Sequence, residues 1–471
     1  MVEKNCKNII IAHNILVFML LVLSLIFTII NNVSYPFCLL SVVYIIVSNF
    51  CKNNCSLIGK LPGRTIINVV LLTRYCFLPF VLCVDGTLSI YSNNYNYINE
   101  AICLMIYELI VVFFVLELSA SKFNIKCLFK ESLRTDGFRV SKVSFFVALV
   151  VLVFILIHSK GEILNFGLLN KNNVGDDQFE NVSSLEVILW EVLSAWLFIA
   201  VVSRQKSKYD KDRKRKRVVC SIVVGIVFIA ITFLGQSRIS RWYTLISAVA
   251  VVFMLCRFYP DRKRKIMTGI LIPAVLLLTI VTVFKNGDGT GNGFFNQIKD
   301  LLNSTMFDIY FAGPVSVNNA IGMIRSYDMS LISLVYDVLN NFPIINKFID
   351  TTNSSVYMYN LYIGRAFGTG GDQIIPLLGQ SVAYFTYVLS PILSVISVLI
   401  ISFSDRMFYS SSGSMCYVWG FTSAWMGVET ILNMTINLSW VYVRIIPMFI
   451  IFGLLASKKP NAVKNYSPYI R

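Results

Sequence analysis

Runs of about twenty consecutive apolar residues recur along this 471-residue chain, and they limit what it can fold into. A run of that length, helical at about 1.5 Å per residue, crosses the hydrocarbon core of a bilayer. In lipid the backbone must satisfy its own N–H and C=O groups, so runs this long become helices. About twelve spans are predicted, near residues 9–31, 34–50, 65–85, 99–119, 143–159, 186–203, 218–235, 242–257, 266–285, 376–402, 414–433 and 438–456. The chain is therefore expected to be an all-α polytopic membrane protein. Its 14% of charged residues supports this, since ordinary domains carry about 25%. The first run has no small-residue cleavage site and reads as a helix that is kept.

The formal charge of +16 would suit a nucleic-acid partner, but the placement of the cations excludes one. With the N-terminus inside, the inner segments hold 30 of the 41 Lys and Arg residues. Lys and Arg gather on the cytoplasmic side of membrane proteins, so an even number of spans with both termini cytoplasmic follows. The densest run, Arg204 to Arg217, lies between two spans and reads as a topology anchor beside anionic lipid. Eleven Cys at irregular spacing make neither a disulfide framework nor a zinc site. With only His13 and His158 there is no His-rich metal site either.

The outer connections differ in size, from Asn31–Ser34 to Ser159–Leu185, and one late connection exceeds them all. Residues 1–285 carry spans one to nine, residues 286–375 form a large outer segment with short helices, and residues 376–471 carry the last three spans and a tail. A connection as long as 286–375 is functional or structured. Within it Arg325, Tyr327, Asp308, Tyr310, Arg365 and Asp372 are candidate site residues. Gly364 to Gly371 holds four glycines, which permit close backbone approach to an anion, and Arg365 and Asp372 bracket the run. Asp372 is the candidate general base for an attacking hydroxyl, against the plainer reading of a solvated loop carboxylate.

Charged side chains at membrane depth are costly and face a cavity or a partner. Arg74 and Glu108 lie near the middles of antiparallel spans three and four, at similar depth. Either they lock two helices together, or Arg74 opens onto a cavity and holds a phosphate. Glu429 and Arg444, near the outer ends of the last two spans, form a second expected pair lining the site. The outer turn Gly235-Gln-Ser-Arg238-Ile-Ser-Arg241-Trp242 places two arginines where positive charge is disfavoured. Arginine grips phosphate oxygens bidentately, so Arg238 and Arg241 are read as phosphate-binding and charge-stabilising groups rather than interfacial anchors.

The Gly235–Arg241 turn, Arg74-Tyr-Cys-Phe-Leu-Pro79 in a span, the long late outer segment, and Gly370-Gly-Asp-Gln-Ile-Ile-Pro-Leu-Leu-Gly-Gln-Ser381 entering a span together resemble bacterial O-antigen and capsule polymerases of the Wzy type. The resemblance covers the whole topology through short motifs. It implies a fold similar to the O-antigen ligase-like membrane glycosyltransferases, in the bacterial inner membrane. It also implies metal-independent transfer of a growing glycan from undecaprenyl pyrophosphate to the incoming lipid-linked repeat unit, on the periplasmic side. In this reading Arg238, Arg241 and Arg365 contact the donor pyrophosphate. Arg238, Arg241 and Asp372 are the catalytic candidates, while Arg365, Arg325, Arg74, Arg444, Glu429 and Tyr310 bind substrate. The partners are the undecaprenyl-pyrophosphate-linked oligosaccharide, membrane lipid and a separate chain-length-determining co-polymerase. The alternative is a lipid-linked oligosaccharide flippase or other polytopic transporter. Transporters usually show two related halves and short outer loops, whereas these halves differ and one outer segment exceeds the rest.

Overall fold

The computed structural model describes residues 2–86, 96–121, 141–159, 163, 183–234, 241–286, 303–342, 345, 348–349, 351–367, 373–411 and 413–455. Among these residues every regular element is a helix. Six helices are long and apolar enough to cross a membrane: Ile10–Ile30, Pro62–Asp85, Ile98–Ser121, Leu185–Asp212, Ile392–Ser410 and Met434–Leu455. The number rises to seven if Trp242–Phe258 and Pro260–Leu277, which meet at 115°, form one bent span. Cys38–Phe50 and Lys142–His158 are shorter apolar helices. The chain is thus a helical, membrane-embedded protein.

In chain order the elements are α1 (Val2–Ile30), α2 (Cys38–Phe50), α3 (Lys52–Leu57), α4 (Pro62–Leu72), α5 (Leu78–Asp85), α6 (Ile98–Ser121), α7 (Lys142–His158), α8 (Ser184–Asp212), α9 (Arg215–Leu234), α10 (Arg241–Phe258) and α11 (Lys263–Asn286). They continue as α12 (Ser304–Tyr310), α13 (Pro314–Ser326), α14 (Leu331–Leu339), α15 (Ser355–Phe367), α16 (Leu377–Phe385), α17 (Ile392–Ser410), α18 (Gly413–Val428), α19 (Met434–Trp440) and α20 (Ile446–Leu455).

Against the twelve expected spans, six or seven helices among the described residues are long and apolar enough to cross, and two of the expected stretches are interrupted. The stretch 376–402 is not one helix: α16 stops at Thr386, whose φ of 75° lies in the left-handed region, and α17 restarts after Pro391, which lacks an N–H. The stretch 414–433 is the 16-residue α18 followed by a 3-10 turn at Glu429–Ile431.

Helix α18 is the centre of the bundle, packed on α4, α8, α10, α17 and α20. Small residues let it approach α4: a Cβ on Gly63 would lie 2.2 Å from Ser423 Oγ, and one on Gly427 would lie 2.9 Å from Ile66 Cβ. Asp405 on α17 seals the same junction, accepting from the amides of Gly63 and Arg64, each at 3.1 Å, and from Ser423 Oγ at 2.5 Å. A carboxylate at the first turn of α4 complements the orphan N–H groups and the helix dipole. The Arg64 guanidinium, buried, donates to Asn54 Oδ1 at 3.0 Å, Leu116 O at 2.8 Å, Ser119 Oγ at 2.5 Å and Ser402 Oγ at 3.2 Å. At the far end of α17 Arg257 donates to the carbonyls of Phe408, Tyr409 and Ser411, a cation on orphan C=O groups.

The late segment packs into this bundle. Every residue of α13 from Pro314 to Met323 is buried, and the helix lies against α6, α15 and α16. Ala320, Met323, Tyr359, Ile363, Ile375, Leu377, Ala383, Tyr384, Leu393 and Met434 make a second apolar core there. Asp308 starts α13 by accepting from Val315 N at 3.1 Å, Ser316 N at 2.7 Å and Ser316 Oγ at 2.7 Å.

Candidate functional site

Both membrane-depth arginines sit in π-helical turns, Arg74 in Thr73–Phe77 and Arg444 in Val441–Ile445. A proline follows each turn closely, Pro79 and Pro447, and a missing N–H frees a carbonyl one turn back. Tyr75 O, four residues before Pro79, takes its bond from Ser41 Oγ at 3.1 Å instead.

Arg74 and Glu108 pair, as their depth implies, at 2.9 Å with 0% and 1% side-chain exposure. Arg74 also donates through Nε to Ala312 O at 3.1 Å and through Nη1 to Thr430 O at 3.2 Å, while its Nη2 has no hydrogen-bond partner. Glu108 accepts from Tyr75 OH at 3.0 Å and Ser394 Oγ at 2.5 Å. The node thus fastens the early bundle, the late segment and the C-terminal helices together. It presents no surface to a ligand, which is the locking arrangement.

The second expected pair is corrected. Arg444 bonds Glu191, not Glu429: Nε reaches Glu191 Oε2 at 2.8 Å and Nη2 reaches Oε1 at 3.0 Å. Its guanidinium lies over Trp440 at 3.9 Å and Tyr243 at 4.6 Å. Glu429 sits on the 3-10 turn after α18 and is held by Ser397 on α17. Glu429 and Arg444 face different neighbours. Glu191, inside an apolar run, was detectable in the sequence as another ionisable group at membrane depth.

The exposed cations of the late segment form a separate group. Arg325, at the end of α13, bonds Glu100 Oε2 at 3.0 Å and lies over the Tyr97 ring at 4.8 Å. Its side chain also hydrogen-bonds Tyr387. Arg365, near the end of α15, donates to Tyr327 OH at 3.2 Å and lies over that ring at 5.9 Å. Helices α13 and α15 pack on each other, so both arginines are carried by one packed pair of helices. Tyr387 also lines a groove of about 540 Å³ with Ile324, Met329, Leu331, Ile332 and Val382. An apolar groove of this size, with Tyr387 in its lining hydrogen-bonded to Arg325, suits a ligand with an apolar chain and an anionic head. Tyr97, Glu100 and Tyr387 were not singled out from the sequence. The one local signal is the Tyr- and Asn-rich connection 85–98, which reaches Tyr97 alone.

Beneath this face a polar network fixes the helices. Tyr384 OH donates to Asp337 Oδ2, which also accepts from Ser355 N at 3.0 Å. Gln380 Nε2 donates to Ser355 Oγ at 2.8 Å, and Gln380 Oε1 accepts from Met434 N at 2.6 Å. Burial raises the Asp337 carboxyl from its usual range and pushes that of Asp308 up to about 6. Tyr310, at the end of α12, is 38% exposed. His158 Nδ1 meets Glu186 Oε1 at 2.7 Å, where Glu186 also completes a capping box with Ser183.

Arg238 and Asp372 lie outside the described residues, as does the run from Gly368 to Gly371. Arg241 opens α10, and its backbone alone is described. Among the described residues no cluster of His, Cys, Asp and Glu is arranged to hold a metal. No family model, curated protein or solved structure matches the chain.

Proposed function

We propose that the protein is a membrane glycosyltransferase that polymerises undecaprenyl-pyrophosphate-linked oligosaccharide repeat units into O-antigen or capsular polysaccharide at the periplasmic face of a bacterial inner membrane. The observation that supports this reading is the apolar groove whose rim residue Tyr387 is bonded to the exposed Arg325. A prenyl chain needs an apolar channel, its pyrophosphate needs guanidinium donors, and a sugar ring needs amphipathic aromatic faces. Arg325 and Arg365, on the packed helices α13 and α15, and the rings of Tyr97 and Tyr327 beneath them supply the last two.

In the proposed step a sugar hydroxyl of the incoming unit attacks the anomeric carbon of the growing glycan. The new glycosidic C–O bond forms as the bond to the pyrophosphate oxygen breaks, and undecaprenyl pyrophosphate leaves with the bonding pair. The hydroxyl proton passes to a base, for which Asp372 is the candidate, and Arg238 and Arg241 steady the charge on the departing phosphate.

Cells lacking the protein are expected to display single repeat units on the lipid core, whereas loss of a flippase leaves none. Arg325→Ala and Arg365→Ala are each expected to shorten the chains at unchanged protein level in the membrane. A deletion strain without surface repeat units, or full-length polymer in the deletion strain, refutes the assignment.

A further inference from the structure

A second cavity, of about 710 Å³, opens at the opposite chemical extreme of the bundle, among the basic connections. It lies where α4, α8, α10 and α11 meet, beside the 115° bend between α10 and α11. Its rim carries Lys60, Lys206, Arg213, Arg257 and Lys263 against one carboxylate, Asp210. Its wall is apolar, from Val252 and Phe253 on α10 to Met267 and Leu271 on α11, with Met267 36% exposed at the outside of the bundle.

The cations are not equivalent. Lys206 is paired with Asp210 at 2.5 Å, Lys263 donates to Gly59 O at 2.8 Å, and Arg257 is committed to the end of α17. Lys60 and Arg213 make no ion pair among the described residues. Arg213 lies over Tyr209 at 5.4 Å and holds a φ of 50° as the residue ending α8. That left-handed position ordinarily takes glycine, so an arginine is kept there against its backbone preference.

We propose that this cavity is a binding site for an anionic phospholipid, the headgroup phosphate held by Lys60 and Arg213 and an acyl chain laid along the α10–α11 wall. Basic pockets between helices on the cytoplasmic side recognise such headgroups. A free phosphate would find the cations, but only a lipid also covers the apolar wall. The site is independent of the glycosyltransferase reading.

The test uses the full-length protein in phosphatidylcholine nanodiscs, with and without phosphatidylglycerol, followed by thermal unfolding and by native mass spectrometry of retained lipid. Phosphatidylglycerol is expected to raise the midpoint and to be retained, and inorganic phosphate is expected to do neither. Arg213→Gly removes a charge while placing glycine where the backbone favours it, so its stability in pure phosphatidylcholine is expected to match or exceed that of the parent. Each of Arg213→Gly and Lys60→Gln is expected to weaken phosphatidylglycerol binding about fivefold. Undiminished binding in the double variant overturns the site. Reproduction of the midpoint shift by inorganic phosphate overturns the lipid assignment in favour of a free anion.

Discussion

The Arg74–Glu108 pair gives the sharpest test of how this bundle is held. Removing one member of a buried ion pair strands the other charge and costs about 3–5 kcal/mol in soluble proteins. In a membrane the unfolded reference also finds polar partners, so the lower end, about 3 kcal/mol, is the expected loss for Arg74→Met or Glu108→Met. The double replacement leaves no buried charge. It orphans the carbonyls of Ala312 and Thr430 and the Ser394 hydroxyl, while Tyr75 OH keeps Met105 O at 3.1 Å. Its expected cost is smaller than that of either single change, because the orphaned groups are neutral and no charge is stranded. Reversing both charges is expected not to restore the protein. A carboxylate at position 74 would face two carbonyl oxygens, and a guanidinium at 108 would face hydroxyls placed to donate. Sodium dodecyl sulfate titration in mixed micelles, read by tryptophan fluorescence, measures all four variants. Single replacements within about 0.5 kcal/mol of the parent, or a charge-reversed protein with the parental midpoint, would refute the reasoning.

Three further outcomes follow from the geometry. In double-mutant cycles Arg444 is expected to couple to Glu191 by about 1–3 kcal/mol and to Glu429 by less than about 0.5 kcal/mol. Gly63→Ala drives a methyl into Ser423 and is expected to cost about 1–3 kcal/mol in the same titration, with the protein still inserted in the membrane. With the Asp308 carboxyl pushed up to about 6, the folded protein holds more protons than the unfolded chain between about pH 4 and 6. Its contribution to stability is complete below about pH 4 and is lost as the pH rises through 6. Titration midpoints should fall across that window, and Asp308→Asn should flatten the fall.

Much of the fold was legible because lipid imposes one requirement on every buried segment. The apolar runs announced the helices, and two charges inside runs announced Arg74 and Glu108. What the sequence did not carry was direction around each helix axis. Depth ranked Glu429 beside Arg444, but the π turn aims Arg444 at Glu191, so pairing by depth chose the wrong acid. Arg64 stands next to a loop, at the edge of a predicted span, where position alone marks an inner basic residue. The fold buries it, since Asp405 needs that first turn of α4 as its hydrogen-bond donor. Span ten failed at Thr386, a residue with no local signal for a left-handed backbone, although Pro391 five residues on marked where the next helix begins. At the candidate site the arginines were visible as charges out of place. Their tyrosine partners come from segments more than thirty residues away or on another helix, which periodicity does not connect.

The most distant of these contacts bear on how the chain is made. Asp405 meets the Arg64 amide across 341 residues, and Thr430 meets Arg74 across 356. A ribosome delivering the chain from its beginning therefore exposes the first turn of α4 and the Arg74 guanidinium long before their closing partners exist. The early helices enter the bilayer in a provisional arrangement, and the helices from α17 onward are the pieces that latch it. A nascent chain cut short upstream of residue 405 has no finished half to fall back on.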